Sequence, residues 1–225
     1  MAKVFLGVGH GGNDPGASKY LVEKDVNLVM ALACRDYLEK NGVQVLMSRT
    51  KDENDPLTDE IKECNAFNPD LAVDIHNNAG NGDGFEAYYH YKGGSSKSLA
   101  LNIEEEVKAI GQNSRGCKTK LNSSGNDYFG FIRQTLCPAV IVEGCFVDNQ
   151  NDAQIANTEE KQRAFGYAYA RGILTTLGID PDISNQVIPN KDIYRVQIGA
   201  YSQKENAQAQ LQKAKEAGFS DAYIA

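Results

Sequence analysis

Histidine is scarce in this sequence, with only His10, His76 and His90 among 225 residues. Two of them fall at comparable places. His10 follows the run VFLGV in a GHGG turn, and His76 ends the run LAVDIH. Glu143 closes a third apolar run, AVIV, and a carboxylate in so apolar a context needs a partner. In open α/β sheets, side chains delivered by strand ends converge on one crevice. Glu23 stands just before a long helical pattern and can face back toward the GHGG turn, whose glycines let the backbone bend tightly around a ligand. Two imidazoles and one carboxylate fill three positions of a tetrahedral zinc and leave the fourth for water. Such a zinc acidifies its water and polarises a carbonyl. His10, Glu23 and His76 are therefore the expected ligands of one Zn2+ per chain. Glu143 is the expected general base and later the proton donor to a leaving amine. Burial would raise the pKa of Glu143 and a cation would lower it. Spacing alone leaves the roles of Glu23 and Glu143 interchangeable.

The same donor set suits non-haem Fe(II), but nothing in the sequence marks an oxygenase cosubstrate site, which leaves zinc ahead. His90 sits among Tyr88, Tyr89 and Tyr91 and reads as a residue of a strand face. Cys145 neighbours Glu143, yet no histidine lies near it in sequence to activate a thiol.

The elements that must position these groups alternate. Residues 3–9 read as a strand entering a Gly-rich turn. Residues 24–40 read as a helix, with Val26, Val29, Met30, Ala33 and Tyr37 at helical spacing, stopped by Asn41-Gly42. Strands are expected at 43–47, 71–76, 85–91 and 139–144, and helices at 57–66, from Ser95 through Ile110, and at 159–177. This alternation predicts an α/β layered domain with a largely parallel or mixed sheet. It ends near Leu177. Residues 179–191, which hold two prolines, read as a linker. Residues 192–225 read as a βαβ piece: a strand at 194–200, a helix at 204–217 stopped by Gly218, and a strand at 222–224. That piece is too small to bury a core alone.

The net charge of −7 and the absence of a basic run argue against nucleic-acid or anionic-lipid partners. No apolar run is long enough to span a membrane. MAKVFLGVGHGG is too weak for a signal peptide, so synthesis in the cytoplasm is expected. The five cysteines are odd in number and form no CxxC pair, which predicts free thiols.

Taken together, VGHGGNDPGA, Glu23 before a long helix, DIHNNA and PAVIVEGCFVDN resemble the zinc N-acetylmuramoyl-L-alanine amidases, cell-wall hydrolases of bacteria and their phages. The resemblance covers roughly residues 1–178. It implies a twisted mixed sheet of about six strands flanked by helices. It implies zinc on His10, Glu23 and His76, catalysis by Glu143, and cleavage of the amide between N-acetylmuramic acid and L-alanine of the stem peptide. Asn77, Asn78 and Asn149 fall in or beside its motifs, and Asn77 and Asn78 are expected at the substrate. Arg133, where the family often carries arginine, is expected to contact a substrate carboxylate or to form a structural ion pair. Three positions depart from the usual pattern: Asp74 replaces a common Ser, Glu60 a common Arg and Cys145 a common Gly. None removes a ligand. Asp74 points to the same side of its strand as His76 and could orient a ligand or face solvent.

Residues 194–219 resemble one repeat of a SPOR domain, a peptidoglycan-binding module that is built from two such units. A single repeat predicts that two chains pair into a homodimer through it. The expected partner is bacterial peptidoglycan, stem peptide and glycan strand, reached when the protein is released at lysis. The resemblance leaves open a phage endolysin or a bacterial autolysin. Two other readings share the motifs: a zinc peptidase cutting within the stem peptide, and an inactive cell-wall-binding protein.

Overall fold

The computed structural model describes residues 1–180 and 204–217. Six strands form one mixed sheet in the order β2-β1-β3-β6-β4-β5. They are β1 (Lys3–Val8), β2 (Gln44–Met47), β3 (Leu71–Asn78), β4 (Phe85–Tyr89), β5 (Ser114–Lys118) and β6 (Ala139–Phe146). Strands β2, β1, β3 and β6 are mutually parallel, and β4 runs antiparallel to β6. Helices α1 (Glu23–Lys40), α2 (Leu57–Phe67), α3 (Ser95–Ala109), α4 (Gly130–Gln134), α5 (Gln150–Ala153) and α6 (Glu159–Leu177) complete this unit. The chain divides into two compact units, Met1–Pro189 and Asn190–Ala225. In the second unit the described residues form α7 (Lys204–Glu216). The strands expected at 194–200 and 222–224, and the linker beyond residue 180, lie outside the described residues.

Alternation along the strands sorts side chains to two faces. Val4, Leu6 and Val8 of β1, Val73 and Ile75 of β3, and Val140 and Val142 of β6 pack against α1, α3 and α6 in the larger core. Phe5, Ala72, Ala139 and Ile141 face the other way, against Ile61 and Cys64 of α2 and Phe131 and Ile132 of α4. The central strands are thus covered on both sides, which is why they read as continuous apolar runs. Asp74 and His76 follow Ala72 at even spacing, and Glu143 follows Ile141. All three therefore belong to the α2/α4 face.

The structure differs from the sequence expectations in several places. Glu23 is the first residue of α1 rather than the residue before it. β3 continues two residues past His76, and β6 continues three past Glu143. β5 and the short α4 and α5 were not expected. SRGCK has no apolar alternation because β5 is, among the described residues, an edge strand paired only with β4. All five cysteines are free thiols, as expected.

Candidate active site

His10 leaves β1 through Gly9 and takes a left-handed backbone, φ 63°. That conformation costs a non-glycine residue energy, and surrounding contacts hold it in place. Arg49 is one source of restraint. Its buried guanidinium donates to the carbonyls of Val8 (3.0 Å), Gly9 (3.3 Å), Lys51 (3.2 Å) and Lys24 (2.8 Å), tying the end of β1 to the first turn of α1. Asn27 Nδ2 donates to the Gly9 carbonyl at 2.9 Å. No sequence signal marked Arg49, because its partners are backbone carbonyls.

His10 Nδ1 pairs with Asp14 at 2.9 Å, which turns Nε2 toward Glu23 Oε1 at 3.2 Å. His76 presents Nδ1 to the same oxygen at 3.2 Å. The other carboxylate oxygen of Glu23 accepts from the Ala17 amide at 2.9 Å, and Oε1 also accepts from the Asn77 amide at 3.2 Å. The donor atoms of His10, Glu23 and His76 all lie within 4.8 Å of one another. Gly9 and Gly16 keep the space clear: a Cβ at Gly9 would enter the His76 ring, and one at Gly16 would lie 2.6 Å from Glu23 Oε2.

The protonation balance follows from this crowding. Burial would push the Glu23 carboxyl up, but hydrogen bonds from His10 and His76 outweigh it and hold it well below the usual range. The hydrogen bond to Glu23 raises His10. Burial would lower His76, yet the Asp74 charge and hydrogen bond prevail and raise it. Glu143 stands opposite His76 in the β3–β6 register. Its Oε2 is enclosed and has no hydrogen-bond partner among the described residues. Burial, aided by neighbouring acidic groups, pushes its carboxyl up to about 7.

Behind His76 lies a second carboxylate pair. Asp74 Oδ2 is 3.3 Å from His76 Nε2. Asp74 Oδ1 and Glu60 Oε1 are both enclosed under Gly7, with no amide, hydroxyl or basic donor in reach among the described residues. Burial first, and the Asp74 charge next, raise the Glu60 carboxyl well above its ordinary range.

The remaining expected residues separate. Asn77 is 2% exposed and points into the larger core, where Nδ2 donates to Asn27 and Oδ1 accepts from the Cys145 amide. It therefore joins α1, β3 and β6 rather than facing the Glu143 side of the sheet. Asn78 lies on the site face and donates to Glu86 at 3.3 Å; Glu86 in turn pairs with Glu143 across β4–β6. Arg133 is not brought to the metal cluster. It donates to the carbonyls of Asp127 (2.6 Å) and Tyr128 (2.8 Å) rather than to a carboxylate, and with His90, Pro138 and Ala139 it lines a cavity at the amino end of β6. His90 follows β4 instead of lying on its face, and pairs with Asp127 at 3.3 Å. Asn149 caps α5 by accepting from the amides of Asn151 and Asp152. The Cys145 thiol is buried and pushed up by that burial, far from a nucleophile's range.

Residues 4–175 match the N-acetylmuramoyl-L-alanine amidase family. The chain belongs to that family. Residues 170–225 match the SPOR domain. The chain is 37% identical to the N-acetylmuramoyl-L-alanine amidase CwlM of Bacillus licheniformis, over 97% of this chain and 83% of that protein. It is 34% identical to the sporulation-specific N-acetylmuramoyl-L-alanine amidase of Bacillus subtilis (strain 168), again over 97% and 83%. The catalytic domain of CwlV, an N-acetylmuramoyl-L-alanine amidase from Bacillus (Paenibacillus) polymyxa var. colistinus, superposes with a TM-score of 0.72 at 28% identity, covering 80% of this chain and all of that one. The amidase is a hydrolase of peptidoglycan, cutting the amide between N-acetylmuramic acid and L-alanine of the stem peptide. It acts on the cell wall, and its family is generally zinc-dependent.

Proposed function

We propose that His10, Glu23 and His76 hold one zinc ion in this amidase and that Glu143 moves the proton of the reaction. The donor set carries the reading: His10 Nε2 and His76 Nδ1 converge on one oxygen of Glu23, each at 3.2 Å. Ligands at about 2.0–2.2 Å around a tetrahedral ion stand about 3.3–3.6 Å apart, so these side chains fit zinc with little movement. Zinc held there would polarise the scissile carbonyl and acidify the attacking water.

The chain's own residues do the rest. Glu143 Oε2, enclosed and unpartnered, accepts a proton from the attacking water and passes it to the L-alanine nitrogen as the amide breaks. In the metal-free protein burial pushes its carboxyl up to about 7, and the zinc charge would lower it toward the range of a base that takes and returns a proton. Asn78, beside Glu86 on the same face, contacts the substrate, while Asn77 holds the scaffold. Residues 1–178 form the catalytic domain, 179–191 the linker, and 192–225 a wall-binding repeat through which two copies associate.

Product analysis after digestion of purified peptidoglycan tests this reading. Stem peptides beginning at L-alanine, formed with zinc and not in chelator, are expected. Shortened peptides still attached to sugar would move the cut into the stem peptide. Equal release by the parent and Glu143→Ala would remove Glu143 from the chemistry.

A further inference from the structure

Asp74 and Glu60 occupy a place where charge is expensive. Both are buried, at 2% and 5% exposure, on the face of the sheet covered by α2. Each keeps one enclosed oxygen, Asp74 Oδ1 and Glu60 Oε1, to which no amide, hydroxyl or basic group of the described residues donates. Carboxylates in such a setting are retained for a reason or replaced by apolar side chains.

The two oxygens of Asp74 face different neighbours. Oδ2 lies 3.3 Å from His76 Nε2. Oδ1 is turned to Glu60, and both atoms sit where a Cβ on Gly7 would be, with Oδ1 at 2.7 Å from that position. The absent side chain at Gly7 thus opens the pocket in which the α2 carboxyl meets the β3 carboxylate. His76 is bracketed in consequence, with Nδ1 on the Glu23 side and Nε2 on the Asp74 side.

An imidazole binds a metal through one nitrogen, and the hydrogen bond made by the other nitrogen decides which. We propose that Asp74 is the positioning residue of His76, accepting its Nε2–H so that Nδ1 is presented to the metal, and that Glu60 holds Asp74 in that orientation from α2. This rests on the reading of His10, Glu23 and His76 as the zinc site. Asp74 touches neither substrate nor metal; it acts through His76. Glu60 acts one step further out, and Gly7 makes room for it.

Zinc affinity of the full chain, measured by competition with a chromophoric chelator, is the direct test. Asp74→Ala should weaken binding by about 10- to 100-fold, the usual cost of losing such an outer partner. Glu60→Leu, which removes the carboxyl group facing Asp74 Oδ1, should weaken it in the same direction. Glu60→Gln should stay within about threefold of the parent, because its carboxamide still donates to Asp74. Affinity of Asp74→Ala within about twofold of the parent would overturn the proposal. The zinc-loaded parent gives a second test that needs no variant to fold. Long-range 1H–15N spectra should show His76 with a proton on Nε2 and the metal on Nδ1, and the reverse arrangement would overturn the proposal. Failure of the parent itself to bind zinc through His10, Glu23 and His76 would instead sink the underlying site.

Discussion

His76 on β3 stands directly opposite Glu143 on β6, in the last regular pair before that ladder shifts register. One strand pairing therefore sets a ligand candidate beside a carboxylate of raised pKa. The shift lies between His76 and Asn78 on β3, so the pair sits at the edge of the regular ladder.

Replacement of Glu143 separates proton transfer from metal binding. Glu143→Gln keeps the shape of the side chain and removes its basicity. Wall hydrolysis should fall by about 10²–10⁴-fold. Zinc content, measured on the same preparation, should stay at the parent level.

The stability of the metal-free protein and the gain from zinc should depend on pH in opposite ways. In the metal-free protein, His10, His76, Glu60 and Glu143 hold their protons more tightly folded than unfolded, Glu143 with a pKa of about 7. Stability from such groups is present below their unfolded values and is lost as pH rises through the folded ones. Glu23, whose pKa is depressed, contributes stability that is lost only as pH falls below its ordinary value of 4.5. Melting in chelator should give a Tm that drops between about pH 5 and pH 8. The gain in Tm on adding zinc should grow over that range, because the ligands must shed protons to bind it. A zinc gain that shrinks with pH would contradict this.

Arg49 and Gly9 test how the turn before His10 is built. Arg49→Met leaves the carbonyls of Val8, Gly9 and Lys24 without their shared donor. A loss of about 1–3 kcal/mol is expected in urea unfolding. Gly9→Ala puts a methyl into the His76 ring. Because small misplacements at a catalytic centre are costly, activity should fall about 100-fold.

Much of this arrangement was legible in the sequence, and the exceptions have physical causes. Helices α1, α3 and α6 bury one broad stripe each, so their apolar spacing showed through. The paired strands β1, β3 and β6 read as continuous apolar runs because helices cover both faces. His10, His76 and Glu143 stood out as polar residues ending those runs, and Glu23 as a carboxylate at the start of a long helical pattern. Arg49 did not, since a lone arginine after a short strand looks like surface, and only the fold brings four carbonyls around it. Asn77 and Asn78 are neighbours in sequence but point to opposite faces of β3, and their types alone could not tell scaffold from crevice. Arg133 sits near Glu143 in sequence but at the other end of β6, a separation set by strand direction rather than by spacing.

The C-terminal repeat gives a further expectation. Light scattering should find the full chain dimeric and a chain ending at residue 178 monomeric. Both monomeric would end the pairing proposal.

The most direct test of the metal site is a crystal grown with zinc and measured on both sides of the zinc absorption edge. One anomalous peak per chain is expected, about 2.0–2.2 Å from His10 Nε2, a Glu23 carboxylate oxygen and His76 Nδ1. No peak there, or a zinc ion bound elsewhere with these three side chains still joined to one another, would contradict the account.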